Sequence, residues 1–126
     1  MQTIVLPADK KDSIETALTL FRDGEIVAFP TDTVYGLGAN PFQASGIIKL
    51  FEAKGRDSNK AIAILIGSLE QIPLITDHMT DMAIRLCEVF WPGGLTVIVP
   101  RKSTLPELIS NTDRIGIRIP NHPIAL

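Results

Sequence analysis

Four short apolar runs, at 25–29, 61–66, 95–99 and 115–119, recur along this chain, and three of them run directly into a proline (Pro30, Pro100, Pro120). Proline fixes φ and has no N–H to donate, so each marks the place where a strand stops. Between the runs, apolar residues repeat at helical spacing. Ile14, Ala17, Leu18 and Phe21 form one such set, Ala44, Ile47, Ile48 and Phe51 a second, and the segment from Thr80 to Phe90 a third. Alternating strands and helices predict an α/β fold, a sheet with helices packed on it. The run Ala61 to Ile66 has no polar alternation, which predicts a strand covered on both faces.

Finer punctuation fills in the remaining elements. Ile4-Val5-Leu6 predicts a first strand ending at Pro7, and Asp12 with Glu15 resembles a capping box at the start of the first helix. Gly24 closes that helix. Gln43 to Ala53 is predicted as the second helix, Ser68 to Ile72 as one helical turn, and Pro106 to Ile109 as a short helix. Near the end, Asn121 with Pro123 has the pattern of a further helix start.

With 126 residues the chain fits a single domain spanning 1–126 and is long enough to bury a core. A 45% hydrophobic and 21% charged composition is that of an ordinary globular protein. A net charge of −2 gives no global pull toward nucleic acid or membrane, so any anion binding must be local. The single cysteine, Cys87, lies in an apolar helical pattern and reads as a buried, inert thiol. No apolar run reaches membrane length and the N-terminus lacks a basic lead, so the expected location is the cytoplasm.

Two stretches concentrate polar chemistry. Phe29-Pro30-Thr31-Asp32-Thr33-Val34-Tyr35-Gly36-Leu37-Gly38 puts hydroxyls, a carboxylate and a phenol at the end of a strand, where α/β proteins tend to place ligands. From composition alone it fits a tight turn, in which Asp32 and Thr33 bond their own backbone, ahead of a small-molecule site. Lys54-Gly55-Arg56-Asp57-Ser58-Asn59-Lys60 packs three cations into a loop before the apolar run 61–66. By itself it fits a solvated basic loop ahead of a phosphate site, in which Arg would offer a planar fork and Lys a point charge. The spacing is not that of a P-loop.

Arg114 and Arg118 bracket the last apolar run. Arg118 stands between apolar neighbours, where an unpaired cation is costly, so it must meet a carboxylate from the protein or from a ligand. Arg101-Lys102 reads as surface charge, Trp91-Pro92-Gly93-Gly94-Leu95-Thr96 as a core tryptophan and a turn, and His78 and His122 as loop residues. No Ser-His-Asp order, HExxH or CxxC pair is present.

Four segments in order, Phe-Pro-Thr-Asp-Thr-Val-Tyr-Gly-Leu-Gly, Lys-Gly-Arg, Trp-Pro-Gly-Gly-Leu-Thr and Gly-Ile-Arg-Ile-Pro-Asn-His-Pro, resemble the YrdC-like family from about Ile14 to Leu126. That family includes L-threonylcarbamoyladenylate synthases. The resemblance implies a twisted, open, mixed α/β sheet with flanking helices around a positive cavity. It also implies an enzyme that joins L-threonine, bicarbonate and ATP, with Mg²⁺, to give threonylcarbamoyl-AMP and pyrophosphate for threonylcarbamoyladenosine in tRNA. By motif matching, Thr33 contacts threonine, Arg118 its carboxylate, and Tyr35 lines the same pocket. Arg56 and Lys60 meet the ATP phosphates with Lys54 close by, and Arg114 falls at another nucleotide-contacting position. Further partners implied are tRNA or double-stranded RNA and the proteins that pass the threonylcarbamoyl group to tRNA; no membrane is implied.

Two departures from the family pattern shape the expectation. Some members carry a threonine-contacting histidine in the strand after the basic loop, whereas here that region is apolar, with Leu65 near the place; this fits a bacterial subtype that lacks the histidine. The family's Ser-Ala-Asn motif lies downstream of Leu126, so the expectation is a domain lacking its C-terminal part. A different class of reading is a non-catalytic RNA- or nucleotide-binding module on the same basic cavity, and the negative net charge weighs against autonomous RNA binding. A carbamoyl-transfer role in hydrogenase maturation comes with zinc-finger cysteines that this chain lacks.

Overall fold

Proline and glycine punctuation sets out most of the elements in a computed structural model that describes residues 2–55, 57 and 60–126. In chain order these are α1 (Lys11–Arg22), β1 (Val27–Phe29), β2 (Gly36–Gly38), α2 (Ala44–Lys54), β3 (Ile64–Leu65), a 3-10 helix (Leu69–Leu74), α3 (Asp81–Phe90), β4 (Val97–Pro100), a short 3-10 turn (Glu107–Ile109) and β5 (Arg114–Arg118). The architecture is mixed α/β with an open rather than closed arrangement of strands. The strands form two small sheets. An antiparallel pair joins β1 to β2, and a three-stranded sheet has the order β3-β5-β4, parallel at β3-β5 and antiparallel at β5-β4.

β5 is the centre of the molecule. Ile115 and Ile117 are 1% and 0% exposed, and they pack with Val99, Ile64, Ile75, Ile109 and Trp91 in one cluster. The period of two puts Arg114, Gly116 and Arg118 on the opposite face of the same strand. The neighbouring strands repeat this alternation. Val97 and Val99 are buried while Ile98 is 60% exposed, and Ile64 is buried while Leu65 is 36% exposed. The expectation of a strand at 61–66 covered on both faces is therefore corrected: the regular strand is Ile64–Leu65, with one face buried and one open.

Helix faces follow the same logic. In α2 the buried stripe is Gly46, Ile47, Leu50 and Phe51, while Ile48 is 46% exposed. In α1 the inward side chains include Ile14, Ala17, Leu20 and Phe21, and Leu18 turns outward. Asp12 is not the cap of α1. The helix starts one residue earlier, Lys10 stands at the N-cap with no side-chain bond, and Asp12 lies in the first turn, where its charge favours the helix dipole. Gly24 does end the helix region, with φ of +77°. Thr80 caps α3 as expected, its Oγ1 accepting from Ala83 N at 3.1 Å. Thr80→Ala removes that acceptor, for an expected loss of about 1 kcal/mol. Thermal unfolding should then move down by roughly 3–6 °C.

Several local expectations are corrected. Ile4-Val5-Leu6 is not a strand among the described residues; Val5 is 92% exposed and no neighbouring strand supplies a ladder. The stretch Gly36–Gly38, read as a turn or site loop, is strand β2. It runs beside β1 with Phe29 opposite Gly36, and a Cβ on Gly38 would meet the Phe29 ring at 2.8 Å. Glycine there lets the ring lie across the pair. Arg101 and Lys102 are not plain surface charge. Arg101 Nη2 donates to Leu105 O at 3.0 Å and Nη1 to Ser110 O, while Lys102 Nζ donates to Pro73 O at 2.8 Å and pairs with Asp77 at 3.1 Å. These cations satisfy carbonyls that loops over the core would otherwise leave without partners. After Pro120 the chain makes a turn rather than a helix. The His122 Nδ1, not the Asn121 side chain, accepts the bond, from Ile124 N at 3.1 Å. Cys87 is buried at 3% exposure, and burial pushes its thiol pKa up.

Candidate functional site

The site is assembled on the end of β5 by three segments distant in sequence. Arg118 is the last residue of β5, on the open face of the sheet. Its Nε donates to Gly93 O at 2.7 Å, its Nη1 donates to Thr33 Oγ1 at 3.3 Å, and its Nη2 donates to Asp32 Oδ1. The carboxylate that Arg118 required thus comes from the protein, in the loop between β1 and β2. Both charged side chains are largely covered, at 12% and 19% exposure for Arg118 and Asp32. In this setting a charge-assisted bond contributes more than an ion pair in open water.

Each partner is held by its own local structure. Thr31 organises the 31–34 turn: its Oγ1 donates to Val34 O, contacts Thr33 Oγ1 at 3.2 Å and accepts from Thr33 N at 3.2 Å. The turn reading assigned the backbone bonds to Asp32 and Thr33; the Thr31 hydroxyl makes them instead, and the Asp32 carboxylate leaves the turn for Arg118. The turn after α3 is closed by Trp91, which donates its Nε1–H to Leu95 O at 2.8 Å, and the Trp91–Pro92 peptide is cis. Gly93 then bonds the end of β5 through both backbone groups. Its N donates to Ile119 O at 2.8 Å, and its O accepts from Arg118. A segment that reads in sequence as a simple turn is in fact the clamp that aims the guanidinium.

A guanidinium carries five N–H donors in one plane. Gly93, Thr33 and Asp32 take one each, which leaves two for a ligand, and a carboxylate has two oxygens to match them. Across the β3–β5 ladder, Leu65 is the register partner of Arg118, so the position expected near a histidine in some relatives does lie beside this guanidinium. Here it presents an apolar side chain.

The other expected site residues are spread over the neighbouring surface. Tyr35 follows the same loop and is 79% exposed. Lys54 is the exposed last residue of α2. Lys60 is exposed, and its N donates to Asp57 O at 3.0 Å. Arg56, with Ser58 and Asn59, lies outside the described residues. Arg114 is exposed at the start of β5, four residues from Arg118 on the same face, or about 13 Å along the strand. The structure therefore brings Thr33 and Arg118 into contact but leaves Arg114 at the far end of the strand. Asp32 and Gly93 are the residues that sequence reasoning missed. The signal for Asp32 was the unpaired-cation argument itself, which demanded a carboxylate without naming it. A hollow of about 520 Å³ near that far end is lined by Arg101, Glu107, Leu108, Ser110, Asn111 and Thr112. Its cation, Arg101, spends two donors on the carbonyls of Leu105 and Ser110.

Among the described residues no group of three or more His, Cys, Asp or Glu is placed to hold a metal ion, and no helix is long and apolar enough to cross a membrane.

Comparison with known proteins places the chain in a family. Residues 19–126 match the model of the Sua5/YciO/YrdC family, described as telomere recombination. A threonylcarbamoyl-AMP synthase of Pyrococcus abyssi is 40% identical over 114 residues, 90% of this chain and 34% of the relative. One from Bacillus subtilis is 41% identical over 115 residues, 90% of this chain and 33% of the relative. The chain thus spans about a third of the length of these two relatives. The crystal structure of P. abyssi Sua5 complexed with L-threonine superposes with a TM-score of 0.90 at 39% identity, over 93% of this chain and 35% of that one. With its mixed α/β fold and all four motif segments inside the matched region, this chain belongs to the Sua5/YciO/YrdC family.

Proposed function

We propose that this chain carries the threonine-recognition and ATP-phosphate elements of an L-threonylcarbamoyladenylate synthase, a nucleotidyltransferase of the cytoplasm that serves tRNA modification. The observation that carries the reading is the meeting of Thr33 and Arg118 on the open face of β5, with two guanidinium donors left for a carboxylate. The threonine bound in the P. abyssi relative supports the choice of ligand.

In this reading Arg118 holds the threonine carboxylate, Thr33 lies against the bound amino acid, and Tyr35 closes the pocket from the loop. The ammonium first gives its proton to solvent; the free amine then attacks the carbon of bicarbonate and water leaves, giving the carbamate. A carbamate oxygen then attacks the α-phosphorus of ATP, and the bond to the β-phosphate oxygen breaks to release pyrophosphate. Negative charge builds on the departing pyrophosphate, where fixed cations lower the barrier most. Arg56 and Lys60 take that role, with Lys54 beside them and Arg114 as a further nucleotide contact. Mg²⁺ enters with ATP, as the MgATP substrate. No covalent nucleophile is needed, because positioning and charge stabilisation suffice for two additions of this kind.

Calorimetric titration of L-threonine and MgATP into the protein tests the reading, with pyrophosphate release as the activity readout. Both ligands should bind, and release should need threonine and bicarbonate together. Absence of threonine binding would contradict the proposal. Lys60→Ala should weaken MgATP binding by about 10-fold, the lower end for a charge-assisted bond at an exposed site, and leave threonine affinity unchanged. An unchanged ATP affinity would remove Lys60 from the phosphate site.

A further inference from the structure

We infer that Asp32 is a specificity-determining residue that turns the Arg118 site from an anion site into a zwitterion site, selective for free α-amino acids over plain carboxylates and phosphates. The inference rests on the reading of this pocket as the threonine site.

The argument is one of charge balance in a covered place. Arg118 and Asp32 are bonded directly and are 12% and 19% exposed, so the pair presents no net charge to an incoming ligand. A lone covered arginine attracts any anion, including the ATP phosphates that must be present nearby. A neutralised arginine does not. Docking a plain carboxylate would leave the three groups with a net charge of −1 in a partly covered place, which costs more than in open water. A zwitterion leaves the balance at zero.

Geometry allows the balance to be made locally. Arg118 has two N–H donors left after Gly93, Thr33 and Asp32 are served. Asp32 uses one oxygen on Arg118, and its second takes no donor from the described residues. A carboxylate on the guanidinium edge and an α-ammonium on that second oxygen complete a four-charge ring. The two charged groups of an α-amino acid are attached to one carbon, so both can face the adjacent protein charges together. Thr33 Oγ1, on Nη1, adds a neutral partner and no charge. Leu65, in register beside Arg118, offers no alternative counter-charge to the ammonium.

The test compares L-threonine with 2,3-dihydroxybutyrate, in which a hydroxyl replaces the ammonium at nearly the same size, by calorimetric titration of the wild-type chain and of Asp32→Asn and Asp32→Ser. The wild type should prefer threonine by about 30-fold, the scale of one lost charge-assisted bond. In both variants the preference should collapse to about threefold or less, with the dihydroxy acid and inorganic phosphate binding more tightly than to the wild type. A wild-type preference below threefold overturns the inference without needing either variant. A preference that persists in a variant with a cooperative thermal transition also overturns it and makes Asp32 only a counter-ion. Failure of the wild type to bind threonine at all would instead sink the synthase reading, and this inference with it.

Discussion

Arg118→Ala should lower L-threonine affinity by about 100-fold, the equivalent of roughly 2.7 kcal/mol for two charge-assisted bonds to one carboxylate. The same change should destabilise the fold. It removes the donors to Gly93 O, Thr33 Oγ1 and Asp32, and so unties the 31–35 loop and the 91–95 turn from the end of β5. It also leaves a carboxylate that is 19% exposed without its cation, for an expected cost of about 2 kcal/mol. Arg118→Lys separates the two effects. A single ammonium retains the charge beside Asp32 but lacks the planar fork, so stability should largely return while threonine affinity stays about 10-fold down. Titration calorimetry and thermal unfolding of the two variants measure both quantities. An alanine variant that binds threonine like the wild type would remove Arg118 from the site.

Ile117→Ala should have the largest effect on stability. Ile117 is 0% exposed in the middle strand of the three-stranded sheet, facing Ile64 on one side and Val97 on the other. Replacing it deletes three carbons from a place where β3, β5 and β4 meet, and a strand backbone fixed on both sides has little room to collapse into the space. Changes of this kind cost about 2–5 kcal/mol, and the upper half of that range is expected here. Such a loss is a large fraction of the stability of a domain this size. The side chain lies on the face opposite Arg118, so the threonine contact itself is untouched. Chemical denaturation should show a lower midpoint with an unchanged slope. A loss below about 1 kcal/mol would mean that the core is not centred on β5.

Much of this fold was readable from the chain because its signals are local. Proline after an apolar run located the ends of β1, β4 and β5 closely, and Thr80 announced α3 through a bond that spans three residues. What could not be read depends on partners far away in sequence. Ile4-Val5-Leu6 has strand composition but finds no ladder among the described residues, and composition carries no information about that. The Ala61–Ile66 run looked buried on both faces because Ala63 and Leu65 are apolar, yet both lie on the open face. Apolar residues are a one-way indicator of burial.

The site divides in the same way. Physical reasoning required a carboxylate for Arg118, and the structure joins the same guanidinium to Thr33 by a bond across 85 positions. The identity of the carboxylate was hidden because Asp32 sits in a turn where Asp ordinarily bonds its own backbone, and here Thr31 performs that task instead. Arg101 was misread for the converse reason: a cation in a polar segment looks like surface until its bonds to the carbonyls of Leu105 and Ser110 are seen.

The central claim is that the two remaining donors of Arg118 recognise a carboxylate. Its most direct test is to titrate the wild-type chain with L-threonine and with L-threoninol, which keeps the ammonium and the side-chain hydroxyl but carries an alcohol in place of the carboxylate. Threoninol should bind about 100-fold more weakly than threonine, the loss expected when a paired fork has no anion to meet. Equal affinity for the two ligands would contradict the account.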